Sequence, residues 1–251
     1  MTDNTQRFSG KAGVYAKARP NYAQDFFDWL YSNYVLTSDT VIADIGSGTG
    51  LLTKALVEKD IHVYAVEPNE DMRNVAESSL KDNKYFHSIN GTAESTGLPE
   101  GSIDIITVAQ AFHWFDVEAF KKECKRILRP QGKVVLVWNQ RDSASYFVKV
   151  NSEIFKKYCP NFTGFSGGIE ENDNNIELFF DKKYSRFHFT NNLTFDKDGF
   201  INRCLSASYA LKKSDEKFDI FVQELEVLFN SYSEAGLLTM PNETVAYVGE
   251  L

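Results

Sequence analysis

Two acidic residues and a run of glycines carry the first chemical signal in this chain. Residues 41–52 read VIADIGSGTGLL: an apolar run ends at Asp44, and Gly46, Gly48 and Gly50 follow at alternate positions. A second apolar run, HVYAVEP, ends at Glu67 and Pro68. Glycines placed between a strand-like and a helix-like stretch serve a tight turn, a close approach of ligand to backbone, or both. An acid at the end of the next strand can accept hydrogen bonds from both hydroxyls of a ribose. The spacing is not that of a dinucleotide loop, because position 51, where G-x-G-x-x-G requires glycine, is Leu51. No G-x-x-x-x-G-K-[ST] phosphate loop exists either. Asp44 is a poor neighbour for phosphate and a good one for an amine.

A ligand with ribose hydroxyls, an ammonium group and no phosphate fits this pattern. S-adenosylmethionine is such a ligand, with S-adenosylhomocysteine as its product. Other residues able to do chemistry are sparse. His113, in AFHWFD, follows a strand and is either a general base or a ring packed between Phe112 and Trp114. Arg19 in YAKARPNY can grip a carboxylate bidentately, or is a surface residue before a proline turn. No cluster has metal-ligand spacing, and Cys124, Cys159 and Cys204 form no CxxC pair.

The elements that must position these residues follow from periodicity. Residues 22–35 have helical spacing at Phe26, Phe27, Leu30 and Tyr34. Strands are expected at 40–45, 62–68, 85–93, 102–112 and 133–139, and helices at 50–60, 69–80 and 117–128. Asn69 is placed to cap the second of these helices, and RPQG at 129–132 closes the third. Alternation of strand and helix from 40 to 139 predicts an α/β fold: a doubly wound, mostly parallel seven-stranded sheet. After Asn139 the rhythm breaks. Residues 140–183 and 196–240 are expected to form a partly helical cap inserted after the fifth strand, with helices near 196–211 and 214–232. Strands at 185–195 and 243–251 complete the sheet at an antiparallel edge. The domains are then 1–139, a ligand-binding core with an N-terminal lid segment, and 140–251, cap plus closing strands. The polar stretches 1–22 and 162–175 are expected to be mobile, the first closing over the ligand.

The motifs VIADIGSGTG, AVEPN (65–69), GTAESTGLPEGSIDIITVAQAFHWFD (91–116) and LRPQGKVVLVWN (128–139) together resemble those of class I S-adenosylmethionine-dependent methyltransferases. The type-11 small-molecule group, with its trans-aconitate-methyltransferase-like relatives, is the most similar. The resemblance implies that Asp44, Gly46, Ser47, Gly48 and Thr49 hold the methionine end of the cofactor. Glu67 holds the ribose, with Pro68, Asn69 and Met72 beside the adenosine. Thr92, Ala93 and Glu94 border the adenine, although Glu94 is equally readable as a charge answering a helix dipole and Met72 as core. Gln110, Ala111 and Phe112 line the site beneath the sulfonium, and Tyr15 and Arg19 close it from the N-terminal segment. Tyr22, Trp114 and Tyr209 are the candidate acceptor wall, together with Phe162 and Phe165.

Composition bounds the alternatives. The chain has 251 residues, 43% of them hydrophobic, and a formal net charge of -8. An acidic balance argues against non-specific nucleic-acid binding, which needs clustered Lys and Arg. A base-methylating enzyme usually carries an N/D-P-P-Y-like turn where this chain reads AQAFHWFD. No run approaches 18 apolar residues and no secretory signal is visible, so a cytoplasmic location and no membrane partner are expected. The leading expectation is methyl transfer to a small-molecule acceptor, with a carboxylate preferred and no base required. The competing readings are a non-catalytic S-adenosylmethionine-binding module and a nucleic-acid methyltransferase, with a nicotinamide enzyme third. Acceptor identity and oligomeric state are not readable.

Overall fold

The computed structural model describes residues 20–165, 174–207 and 209–251. It begins with α1 (Gln24–Tyr34), then β1 (Val41–Ile45), α2 (Leu51–Val57), β2 (His62–Val66), α3 (Glu70–Leu80), β3 (Phe86–Ile89) and β4 (Ile103–Ala109). There follow α4 (Val117–Ile127), β5 (Leu128–Arg141), α5 (Tyr146–Tyr158), α6 (Asn174–Phe179), β6 (Tyr184–Thr190) and β7 (Leu193–Phe195). The chain ends with α7 (Lys197–Leu205), α8 (Phe218–Tyr232), β8 (Leu238–Met240) and β9 (Asn242–Gly249).

Seven strands form one sheet in the order β3-β2-β1-β4-β5-β9-β6. β1 pairs in parallel with β2 and with β4, β2 with β3, and β4 with β5. Chain order reverses between β1 and β4, the switch point at which open α/β sheets bind ligands. β1 is buried on both faces. Ile42 joins the core on one side, with Phe26, Leu30 and Leu56, while Ala43 and Ile45 join the other, with Ile106, Phe112 and Phe120. That two-sided burial is why VIADI reads as a continuous apolar run broken only by Asp44.

The chain divides into two compact units. Unit 1 comprises residues 1–138, 169–189 and 244–251, and holds the main sheet with α1–α4 and α6. Unit 2 comprises 139–168 and 190–243, with α5, α7, α8 and the antiparallel β7–β8 pair. Unit 2 has its own core, in which Phe155, Phe200, Cys204, Phe221, Leu225 and Leu238 are fully buried.

Several expectations need correction. The strand expected at 85–93 stops at Ile89, and Thr92 and Ser95 form an isolated bridge instead. The strand expected to 112 stops at Ala109, because Gln110 takes a positive φ of 59° and a 3-10 turn follows at Phe112–Trp114. RPQG is not a helix stop outside the sheet. It is a bulge inside β5, whose register with β4 jumps from Ile103↔Leu128 to Ile105↔Lys133, with Gln131 at φ 67°. Residues 174–183, expected in the cap, belong to unit 1, where Ile176, Phe179 and Phe180 enter the sheet core. The single strand expected at 185–195 is two strands, broken at Asn191, whose N–H donates to the Asn242 carbonyl (2.8 Å). The helix expected to 211 ends at Leu205, and LTM at 238–240 is an unexpected strand. Among the described residues no helix is long and apolar enough to cross a membrane.

Candidate ligand-binding site

The loop after β1 is pinned to the end of β2 by its own backbone. The N–H groups of Gly46 and Ser47 donate to the Val66 carbonyl (2.9 and 3.2 Å), and Gly48 N–H donates to Glu67 Oε2 (2.9 Å). Glu67 Oε1 accepts from Asn69 N–H (2.8 Å), so a single buried carboxylate ties the glycine loop to the turn that opens α3. Burial pushes the Glu67 carboxyl up from its ordinary range, and the two backbone donors pull it back. Each oxygen retains acceptor capacity, because a carboxylate offers about four lone-pair sites. Arg73 does not neutralise it directly: its Nη1 donates to the carbonyls of Glu67 (2.9 Å) and Pro68 (3.3 Å).

Two of the glycines have different reasons. Gly46 has φ 68°, and a Cβ there would lie 2.7 Å from Ala111 Cβ and 3.1 Å from the Phe115 ring, so packing alone demands glycine. Gly48 has φ 58°, yet a Cβ there would meet only Met72 Sδ, at an ordinary 3.7 Å. The question posed by the glycine run therefore has a divided answer: close packing at position 46, and backbone conformation on an open face at position 48. Ser47 accepts from Gly50 N–H through its carbonyl (3.0 Å), and Thr49 lies within the same turn.

Asp44 is drawn inward. It is fully buried, accepting from Thr53 Oγ1 (2.6 Å) and Thr107 Oγ1 (3.1 Å). Burial pushes its carboxyl up to about 6, against the pull of those hydroxyls. It thus braces β1, α2 and β4 beneath the loop and presents no exposed oxygen.

Asn69 caps α3 as expected, its Oδ1 accepting from Met72 N–H (3.0 Å), and Met72 is buried beside Gly48. Thr92 and the buried Ala93 lie on the turn after β3. Glu94 Oε1 accepts from the N–H of Asp116, the N-cap of α4, which places it at a helix N-terminus (3.1 Å). Ala111 packs against Gly46, and Gln110 N–H donates to the Val137 carbonyl (2.9 Å). The Phe112 side chain is core: it is fully buried and contacts the rings of Phe115, Phe120, Trp138 and Phe179, which leaves only its backbone to a ligand. The His113 and Trp114 rings contact each other, 4.4 Å between centroids. Tyr22 is buried against Phe26 in the core over α1. Tyr209 lies in unit 2 within an aromatic cluster of Phe155 and Phe162. Tyr15, Arg19 and most of the stretches expected to move lie outside the described residues.

One feature that sequence reading missed is the network under the 91–98 loop. Glu123 Oε1 accepts from Thr96 N–H (2.9 Å), Thr96 Oγ1 (2.6 Å) and Arg126 Nη2 (2.7 Å), and Arg126 also reaches the Leu98 carbonyl. The Arg126 guanidinium, with the Thr96 donors, holds the Glu123 carboxyl down at about 2. The i, i+3 spacing of Glu123 and Arg126 was the available signal. At the amino end of the strands a cleft of about 340 Å³ opens beside Tyr34, Asp39, Asp104 and Arg129. Two of its charges pair with each other, Arg129 Nη1 lying 2.7 Å from both oxygens of Asp104. Among the described residues no group of three or more His, Cys, Asp or Glu could hold a metal.

A mostly parallel sheet with its switch point between β1 and β4, a glycine loop there and a buried acid ending β2 form the arrangement that nucleoside-binding α/β domains use. Residues 43–136 match the family model described as a methyltransferase domain. That span is similar to the domain of class I S-adenosylmethionine-dependent methyltransferases. The chain is 37% identical over 152 residues to an uncharacterized methyltransferase of Mycobacterium bovis, covering 61% of this chain and 60% of that one. Thus the match spans less than two thirds of that relative's length. An uncharacterized methyltransferase-like protein of Schizosaccharomyces pombe is 27% identical over 256 residues, 97% of this chain and 94% of that one. Among solved structures, a protein of Anabaena variabilis assigned as a methyltransferase from an antibiotic biosynthesis pathway superposes with a TM-score of 0.62. It is 19% identical, covering 91% of this chain and 98% of that one, a likeness of fold.

Proposed function

We propose that this chain transfers the methyl group of S-adenosylmethionine to a small-molecule acceptor, a carboxylate by preference. The observation that carries the reading is the Glu67 carboxylate, buried at the end of β2, holding Gly48 and Asn69 by backbone N–H and ion-paired to no cation among the described residues. Glu67 is suited to two ribose hydroxyls, and the open face at Gly48 admits a ligand against the backbone. Asp44 supplies negative charge beneath the loop, which favours an ammonium group over a phosphate. When bound, the cofactor supplies an electrophilic methyl on a positive sulfonium, and transfer to a carboxylate oxygen gives a methyl ester and S-adenosylhomocysteine with no proton to remove. The protein's part is then alignment and exclusion of water. His113, packed on Trp114, has no required role with such an acceptor.

The test is a methyl-transfer screen over small carboxylates, phenols and amines, following S-adenosylhomocysteine formation. Turnover of a carboxylate, with His113→Ala costing less than about tenfold, is the expected result. A loss of ~10²–10⁴-fold in that variant, with a phenol or amine as the turned-over acceptor, assigns His113 as a general base and overturns the carboxylate reading. Binding of S-adenosylhomocysteine without turnover of any acceptor points to a sensing module.

A further inference from the structure

The strongest unexplained group in the molecule is Arg141, the last residue of β5 and part of unit 2. Its guanidinium carbon lies over the Phe165 ring, 3.5 Å from the centroid. Its Nη1 is sealed from solvent and, among the described residues, has no hydrogen-bond acceptor. No carboxylate among the described residues pairs with it; Asp142, its neighbour in sequence, is occupied accepting from Ala144 N–H (2.9 Å). Burial pushes its pKa down to about 10, Cys204 and Tyr209 pull it back up, and Arg203 adds the smallest push downward. Around Arg141 stands an aromatic wall within the same unit. Phe162 and Phe165 are 5.0 Å apart, Phe162 and Tyr209 are 5.0 Å apart, and all three rings touch Phe155. Tyr209 and Arg141 perturb each other's ionisation, so the wall and the cation share one place.

A partly buried cation with a sealed, unsatisfied donor is costly. It is retained in a fold when something else completes it. We infer that unit 2 contains an anion-recognition site, in which the Arg141 guanidinium anchors the carboxylate or phosphate of a small ligand and Phe162, Phe165 and Tyr209 contact its apolar body. The planar, donor-rich guanidinium suits a two-oxygen anion, and contact with the Phe165 ring restrains it while leaving donors for a ligand. This deepens the reading above by naming the residue that selects an anionic acceptor, and it rests on that reading for the ligand's role as acceptor.

The experiment is calorimetric titration of the full chain, with and without saturating S-adenosylhomocysteine. The probes are 3-phenylpropanoate, its uncharged amide and phenyl phosphate. Wild type is expected to bind an anion at least about tenfold more tightly than the amide, in keeping with one charge-assisted contact. That ratio should fall to about one in Arg141→Met and survive in part in Arg141→Lys. Preference for phenyl phosphate over phenylpropanoate supports the same site and assigns the anion as phosphate. Equal binding of acid and amide by wild type, no binding of either anion, or an undiminished preference in Arg141→Met overturns the inference. S-adenosylhomocysteine should bind all variants alike; a loss confined to Arg141→Met would mean that the residue grips the cofactor's carboxylate, and the inference fails. If wild type does not bind S-adenosylhomocysteine, the methyltransferase reading fails separately, while the anion ratio is still read without it. Thermal melting gives an independent arm. Relief of an unpaired buried charge predicts that Arg141→Met melts at or above wild type, whereas a purely structural arginine predicts a clear fall.

Discussion

Two of the buried carboxylates in unit 1, Asp44 and Glu67, have opposite relations to the glycine loop, and each makes a prediction of its own. Glu67 faces the loop, accepting from Gly48 N–H within it and from Asn69 N–H at the start of α3. Removing it takes away two expected ribose contacts, so Glu67→Ala should weaken S-adenosylhomocysteine by about 1.5–3 kcal/mol in calorimetry. Unchanged affinity, or tight binding of NAD by wild type, would count against the ribose role. Asp44 faces the core, and its carboxyl is pushed up from 3.8 to about 6 by burial. Between those values the folded chain holds a proton that the unfolded chain has released. Stability from this group is therefore fully present below about pH 4 and is lost as pH rises toward 6. Asp44→Asn, which keeps the Thr53 and Thr107 neighbours but cannot ionise, should flatten that part of the curve. Urea midpoints at pH 4, 5, 6 and 7 check this. The same ionisation makes the loop more attractive to an ammonium group, so cofactor affinity should rise from pH 5 to 7 in wild type and less in the variant.

At the scale of elements, legibility followed burial. β1, α2, β2 and α3 were readable because strands buried on two faces are apolar throughout and the flanking helices keep their 3.6 period. The Asn69 cap was readable because capping is local chemistry. What failed depends on partners distant in sequence. The β5 bulge is set by pairing with β4, and β7 and β8 are three-residue strands that exist only through each other. Arg141 gave no signal, since nothing in WNQRD distinguishes a guanidinium with a sealed Nη1 from a fully solvated one. In α6, Ile176 and Phe179 alone were too short a period to assign. The structure shows why they matter: Phe179 stacks on Phe120 (5.3 Å, 10°) and meets the Phe112 edge (5.1 Å) with no exposure. Phe179→Ala should cost about 3–5 kcal/mol in chemical denaturation, as a fully buried phenylalanine does. A loss under about 1 kcal/mol would show that α6 is peripheral to the sheet core after all.

For the whole molecule, the division into two units, each with a core, has a thermodynamic consequence. The loop at 46–50, Glu67 and Met72 all lie in unit 1, whereas the cluster of Phe155, Phe200, Phe221 and Leu225 lies in unit 2. A ligand that binds only the folded form stabilises whatever unfolds together with its site, by about 2.7 kcal/mol at a hundred times its Kd. If each core unfolds on its own, S-adenosylhomocysteine should slow hydrogen exchange in β1, β2 and the first turn of α3, and leave the slowest amides of α8 unmoved. A calorimetric melt should then show two transitions, only one of them shifted by the ligand. The discriminating residues are those of α8, because its buried face, Phe221, Leu225, Leu228 and Phe229, packs wholly within the core of unit 2. Equal slowing in α8 and β1, with a single shifted transition, would mean that the crossings of β5 and β9 from one unit into the other are enough to make the chain unfold as one cooperative body.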